Sequence, residues 1–297
     1  MPEKILATLH KIYRITMRTF IKYSSNPRPT SYPYITGDGF RALAQHTYDD
    51  FDENIKADTI KNRDIVFIGN SRIKKFLQEI HPHIKNQYII ISNNGDENID
   101  EEIISMIDDK IIKWYGINLM IKNQKVVPIP VGIENKFYYL SGIPSIIKRV
   151  SKNKHPKINK IFYKFTVSTN VKERTPALLA LQKNKYAETT PQWLNSPNYL
   201  KKVSGYKFVA SPVGSSMAGH RTWEAMYIGV IPIVKSSISK DYFEKIKMPM
   251  WVIKDWEDLD SINENILQEK YNNIMSNSDF KTIYMDYWID KIKNIKD

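Results

Sequence analysis

The sequence predicts an α/β protein made of two consecutive parallel-sheet units with a cleft between them. Three observations support this. Short apolar runs closed by glycine or turn residues alternate with helical stretches, the pattern of parallel, doubly wound layers. A polar, basic, proline-interrupted stretch from Gly142 to Lys157 falls near the middle and reads as a linker, after which the pattern restarts. The length of 297 residues suits two domains of about 150 residues each.

The elements follow in order. Ile5, Leu9, Ile12, Tyr13, Met17 and Phe20 recur near helical spacing, with Lys4, Lys11, Arg14, Arg18 and Lys22 between them. Residues 1–23 therefore form a cationic amphipathic helix, which either packs on its own domain or lies in a membrane interface. Ser24 to Tyr34 is an extended proline-rich loop. Asp64–Gly69 and Gln87–Ser92 are apolar runs of buried-strand length, the second ended by Asn93-Asn-Gly-Asp96. Glu101 to Ile107 reads as helix and Lys125–Val131 as a third strand with proline breaks. Beyond the linker come strand Lys160–Val167, loop Ser168–Lys172 and helix Arg174–Gln182. Strand Tyr206–Ser211, a Gly/Ser loop, a helix from about His220 and strand Val230–Val234 follow. Phe280 to Ile295 closes the chain as a helix. The expected divisions are 1–145, 158–275 and a closing helix in 276–297.

Composition narrows the chemistry. The absence of cysteine excludes disulfides, thiolate metal sites and cysteine nucleophiles. No apolar run approaches the roughly 18 residues of a membrane span, and no Walker-type phosphate loop occurs. The N-terminal helix lacks the continuous apolar core of a secretory signal, so a cytoplasmic protein is expected, with a peripheral membrane contact through residues 1–23 as the alternative. A net charge of +12 concentrates anions, whether nucleic acid, anionic lipid or phosphorylated small molecules. Asp50-Phe-Asp52 and Asp258-Leu-Asp260 spell a short acidic pattern that solvated loops produce by chance, and His81 and His83 lack a third ligand nearby.

The most informative segment runs from Phe208 to Val234. A strand delivers the chain to a loop containing Gly214, Ser215, Ser216 and Gly219, and a helix opens at His220. Free amides and the helix dipole make such a junction an anion site. Arg221 in the first turn adds a bidentate donor for phosphate. Glu224, three residues on, shares its face and can accept hydrogen bonds from ribose hydroxyls. The alternative is a surface Arg–Glu pair beside a glycine turn.

Phe208-Val-Ala-Ser-Pro-Val-Gly-Ser-Ser-Met-Ala-Gly-His-Arg-Thr-Trp-Glu-Ala-Met-Tyr-Ile-Gly-Val-Ile-Pro-Ile-Val234 resembles the donor-binding signature of exostosin-like glycosyltransferases. Tyr34-Ile-Thr-Gly-Asp-Gly-Phe40, Ile91-Ser-Asn-Asn-Gly-Asp-Glu97, Lys113-Trp-Tyr-Gly-Ile-Asn118, Ile129-Pro-Val-Gly-Ile-Glu-Asn135 and Phe165-Thr-Val-Ser-Thr-Asn170 resemble related bacterial sequences in the same order. The resemblance implies a GT-B-like architecture, two Rossmann-like domains facing across a cleft. It implies a nucleotide-sugar donor in the C-terminal domain and a saccharide or glycolipid acceptor in the N-terminal one, with inverting, metal-independent transfer and no further cofactor. Arg221 would neutralise the diphosphate, Glu224 would hold the ribose and Arg174 would add a phosphate contact, with His220 as a further donor contact. Related sequences often place histidine where this chain has Asn93, so the base would be Asp96 or Asp38, each beside glycine in a turn. The other readings are a fucosyltransferase-like GT-B enzyme and a non-catalytic basic protein binding nucleic acid or acidic glycan. The scarcity of aromatic–basic nucleic-acid motifs favours the enzyme, with no nucleic-acid partner.

Overall fold

The computed structural model describes residues 12–295 apart from 14, 18, 21, 25, 140, 154–155 and 216–218. Two parallel five-stranded sheets form the molecule. The first holds β1 (His46–Tyr48), β2 (Ile65–Gly69), β3 (Tyr88–Asn93), β4 (Ile111–Gly116) and β5 (Val126–Pro128), in that spatial order. Every residue of β2 and β3 is buried, as parallel strands covered on both faces require.

The first sheet differs from the doubly wound expectation, because consecutive order means that its chain never reverses direction. Right-handed crossovers running one way all land on one face. Ile73, Phe76 and Leu77 of helix Ile73–Glu79, and Ile103 of helix Glu101–Ser105, pack there against Val66, Ile68, Ile90 and Trp114. The other face, with Phe67, Ile89, Ile91 and Tyr115, is covered by Phe40 of helix Gly37–Arg41 and by Trp288 and Ile292 of helix Met285–Lys293. The chain's last helix thus returns to its first sheet.

The second sheet contains β6 (Ile158–Phe162), β7 (Ala187–Glu188), β8 (Tyr206–Ala210), β9 (Ile231–Lys235) and β10 (Trp251–Ile253) in the order β10-β9-β8-β6-β7. After β7 the chain crosses back over β6 to build the rest on the far side. The loops leaving β6 and β8 therefore separate in opposite directions, opening a crevice at the carboxyl ends of the strands where open α/β sheets bind ligands. Helices Val171–Lys183 and Glu264–Asn277 cover one face through Ala177, Leu181 and Leu267. Asn170 and Asn263 start these helices by accepting amides from Glu173 and Ile266.

Between the sheets lies one shared core. Phe162 and Val209 of the second sheet belong to the same apolar cluster as Ile89 and Ile91 of the first, joined by Tyr199, Leu200, Trp223, Met226 and Phe243. Trp223 and Met226 face this core, as the sequence suggests. The 142–157 stretch, read as a linker, runs between the two sheets but is not irregular throughout. It carries helix Pro144–Ser151, with Pro144 in the first turn, where a missing N–H costs nothing, and with Ile147 and Val150 buried.

Most of residues 1–23 lie outside the described residues, but those described between 12 and 22 are helical. Ile12, Ile15, Phe20 and Tyr23 are exposed, and Tyr13 meets only the ring edge of Tyr139 among the described aromatic contacts, at 5.8 Å. The described part therefore does not show the apolar stripe packed on its own domain. No helix among the described residues is long and apolar enough to cross a membrane.

Candidate active site

The crevice between the β6 and β8 loops is a cavity of about 470 Å³. Arg174, in the first turn of its helix, builds its floor. Its Nε donates to the Val213 carbonyl at 2.9 Å and its Nη1 to the Thr166 carbonyl at 2.8 Å, stitching the two loops together. A Cβ at Gly214 would stand 2.9 Å from Arg174 Nη2, so the glycine makes room for the guanidinium. Burial, with the neighbouring charge of Arg221, pushes the Arg174 pKa down.

Arg221 stacks its guanidinium 4.1 Å above the Tyr199 ring, and Nη1 donates to the Lys164 carbonyl at 3.4 Å. Two like charges thus line one crevice, with carbonyls and aromatic rings as their described contacts and the buried Glu224 carboxyl within reach of the Arg221 charge. Helix His220–Tyr227 opens beside them, with Gly219 at its N-cap and no side chain capping its amides. Ser211 Oγ and Thr222 Oγ1, 2.6 Å apart, pin that helix to the end of β8. Phe165, Tyr199 and the half-exposed Trp193 supply aromatic walls.

A second cavity of about 450 Å³ opens opposite, at the carboxyl end of β3. Its lining includes Gly37, Asn93, Asn94, Gly95, Asp96, Asn135 and Tyr138. Asn94 turns the chain with φ +59° and is held by Asn135 Nδ2 on its Oδ1 at 2.7 Å. Gly37 admits this turn, because a Cβ there would sit 1.8 Å from Asn94 Oδ1. Glu134 and His220 line both cavities, so the two join into one cleft.

His220 comes from the second sheet's helix, yet its Nδ1 bonds the Gly132 carbonyl at 2.9 Å. Gly132 has φ +71°, and a Cβ there would lie 2.1 Å from the Ile35 carbonyl oxygen, so only glycine fits. Glu134 Oε2 accepts the Ser141 amide at 2.7 Å. Glu224 is 1% exposed, and its Oε1 accepts the Gly142 amide at 2.7 Å. Burial raises the Glu224 carboxyl pKa, opposed by the Gly142 amide and the charges of Arg221 and His220, while Glu134 adds to the rise.

The structure brings Arg174, His220, Arg221 and Glu224 to one crevice. Gly214 lies behind Arg174, Ser215 is exposed and away from the cavity lining, and Ser216 lies outside the described residues. Asp96 is exposed in the second cavity. Asp38 is placed differently. It is 1% exposed, accepts Arg28 Nε at 2.8 Å and Asn94 Nδ2 at 3.3 Å, and is absent from the lining of either cavity. A carboxylate held in that way helps to order the Asn94 turn. Reasoning from sequence missed Glu134, Lys164, Trp193 and Tyr199. Glu134 stood inside the quoted 129–135 motif without a role, and Trp193, a tryptophan in a Thr-Pro-Gln-Trp-Leu-Asn loop, was the available signal for the wall.

The acidic patterns are used structurally. Asp52 accepts from Thr47 Oγ1 at 3.2 Å and the Asn54 amide at 3.1 Å, and Asp258 closes a capping box at helix Trp256–Leu259. No group of three or more His, Asp or Glu side chains is arranged to hold a metal among the described residues.

No family model matches the sequence, and no curated protein matches it. Several solved structures are similar in layout. One is the E. coli trehalose-6-phosphate structure bound with UDP-2-fluoro glucose, with TM-score 0.43, 10% identity, and coverage of 80% of this chain and 74% of that one. A UDP-forming α,α-trehalose-phosphate synthase from Burkholderia xenovorans gives TM-score 0.42 at 9% identity, covering 80% and 75%. The spinosyn rhamnosyltransferase SpnG complexed with thymidine diphosphate gives 0.34 at 9%, covering 77% and 68%.

Proposed function

We propose that the chain is a nucleotide-sugar-dependent glycosyltransferase of the exostosin-like kind, acting on a saccharide or glycolipid acceptor in surface-glycan synthesis. One observation supports it above the others: the switch-point crevice pairs Arg174 and Arg221 with an uncapped helix start and continues, through His220 and Glu134, into a second polar cavity. Sugar transfer needs positive charge where the nucleoside diphosphate departs and a polar pocket for the incoming hydroxyl. The donor diphosphate sits against the two arginines, its base against Phe165 or Trp193, and the acceptor enters between Asn94, Asp96 and Tyr138. The arginines and helix amides suit a leaving group stabilised without a metal, and inversion of the anomeric centre is carried over from the resemblance to the exostosin-like family.

Residues 12–23 stand beside the acceptor side, since Tyr13 contacts Tyr139 and Tyr138 lines that cavity. Their exposed apolar face favours an amphiphilic acceptor met at an anionic lipid surface.

Thermal-shift screening with UDP, GDP, dTDP, CDP and CMP tests the transferase. A nucleotide at about 100 times its Kd adds about 2.7 kcal/mol of apparent stability. No shift with any of them, together with salt-sensitive binding of heparin or oligonucleotide that survives Arg221→Ala, would support the polyanion binder instead. A preference for GDP over UDP would favour the fucosyltransferase-like alternative.

A further inference from the structure

We propose that His220 is the base that takes the acceptor proton, and that the Gly132 carbonyl decides which ring nitrogen does so. This rests on the transferase reading above. It replaces an N-terminal carboxylate with a residue from the donor-side helix.

The Gly132 oxygen, 2.9 Å from His220 Nδ1, can only accept a hydrogen bond. Nδ1 must then carry the hydrogen, and the neutral ring keeps its lone pair on Nε2. The selecting carbonyl is itself fixed, because Gly132 is locked at φ +71° against the Ile35 backbone.

Location points the same way. The base must meet the acceptor hydroxyl where that hydroxyl meets the donor sugar, at the junction of the two cavities. Among the described residues, only Glu134 and His220 line both. Glu134 already spends Oε2 on the Ser141 amide, whereas the His220 hydrogen bond among the described residues uses Nδ1 and leaves Nε2 for the acceptor. Asp96, Asp50 and Glu97 line only the acceptor side and Glu224 only the donor side. With Glu134 from the 129–135 segment, Arg221 on the same helix, and Arg174 and Lys164, these carboxylates are the charged groups among the described residues that line the two cavities.

The step balances. The acceptor oxygen forms its bond to the sugar's anomeric carbon while its proton passes to Nε2. The bond from that carbon to the diphosphate oxygen breaks, and its electron pair leaves with the diphosphate beside Arg174 and Arg221. The imidazolium returns its proton to solvent after the products depart.

His220→Asn separates position from basicity, since the asparagine amide can still donate toward Gly132 but cannot accept a proton. The assay is release of nucleoside diphosphate from the sugar form of whichever nucleotide shifts the wild type, with water as acceptor. The variant is expected to bind that nucleotide within about twofold of wild type, to turn over about 10²- to 10⁴-fold more slowly, and to lose the acidic limb of its kcat/KM profile. Turnover within threefold of wild type, or binding and turnover lost in parallel, overturns the proposal, the second outcome making His220 a donor ligand. Nitrogen NMR of the histidine-labelled protein needs no turnover. The signal that disappears in His220→Asn should report hydrogen on Nδ1 and none on Nε2 in the neutral ring, and the opposite tautomer overturns the proposal. If no nucleotide shifts the wild type, the transferase reading fails and the proposal with it; retained turnover in the variant defeats the proposal alone.

Discussion

Replacing Arg221 with alanine should weaken nucleotide binding about 10- to 150-fold and cost the fold far less. The side chain is exposed; it makes one long bond to the Lys164 carbonyl at 3.4 Å, stacks on Tyr199 and sets its charge near the buried Glu224 carboxyl. Stacking at an exposed site is worth about 0.5–1 kcal/mol. At about 2.1 cal/mol/K per residue, a chain of 297 residues unfolds with an entropy near 0.6 kcal/mol/K, so the unliganded Tm should fall by less than about 2 °C. Binding is a different matter. A charge-assisted bidentate bond to phosphate is worth about 1.5–3 kcal/mol, or roughly 10- to 150-fold in Kd. At a nucleotide concentration 100 times the wild-type Kd, wild type gains about 2.7 kcal/mol, close to 4 °C. A variant weakened 100-fold gains about 0.4 kcal/mol, under 1 °C. Differential scanning fluorimetry with and without nucleotide resolves these cases. An Arg221→Ala protein that nucleotide stabilises as well as wild type would show that the crevice does not bind diphosphate through this residue.

Asp38→Asn should cost about 3–5 kcal/mol, lowering Tm by about 5–8 °C, because it strips the partner from buried Arg28; equilibrium unfolding in urea checks this. Lys240 is 3% exposed, its Nζ lies 5.5 Å from the Trp223 ring, and burial pushes its ammonium from 10.5 down to about 8. The unfolded chain therefore binds the extra proton between those values, so this group weakens the fold fully below about pH 8 and stops doing so as pH rises to about 10.5. Lys240→Met should raise Tm at pH 7, with an upper limit of about 3 kcal/mol, and the gap from wild type should shrink by pH 9.5. Flotation with phosphatidylglycerol vesicles should recover the wild type and lose a Phe20→Glu/Tyr23→Glu double variant, while phosphatidylcholine vesicles recover neither; equal flotation of both proteins removes the lipid-surface proposal.

Legibility followed burial. β2 and β3 could be read from the chain because fully covered parallel strands leave apolar runs, β9 from its buried Ile231, Ile233 and Val234, and β6 and β8 from buried Ile161 and Phe162 and buried Phe208, Val209 and Ala210. The edge strands β1 and β10, three residues each, are too short to show a period, and Lys113 interrupts β4. Pro144 looked like a break and proved to be a helix start. In the site, Arg174, His220, Arg221 and Glu224 were visible because strand, glycine loop and helix lie within one continuous segment or its equivalent after β6. Their partners were not. Gly132 is 88 residues from His220, and Gly142 is 82 from Glu224, so those bonds exist only after the two sheets have docked. The burial of Asp38 was hidden for the same reason, since a Gly-Asp-Gly turn reads as surface until Arg28 and Asn94 fold around it.

The Tyr227 hydroxyl accepts the Ile35 amide at 2.9 Å and donates to the Ile283 carbonyl at 2.5 Å, deep in the apolar layer that both sheets share. A chain cut between its halves would yield two fragments each wearing a bare oily flank, prone to clump and not to fold. Calorimetry should record one melting event for the intact molecule.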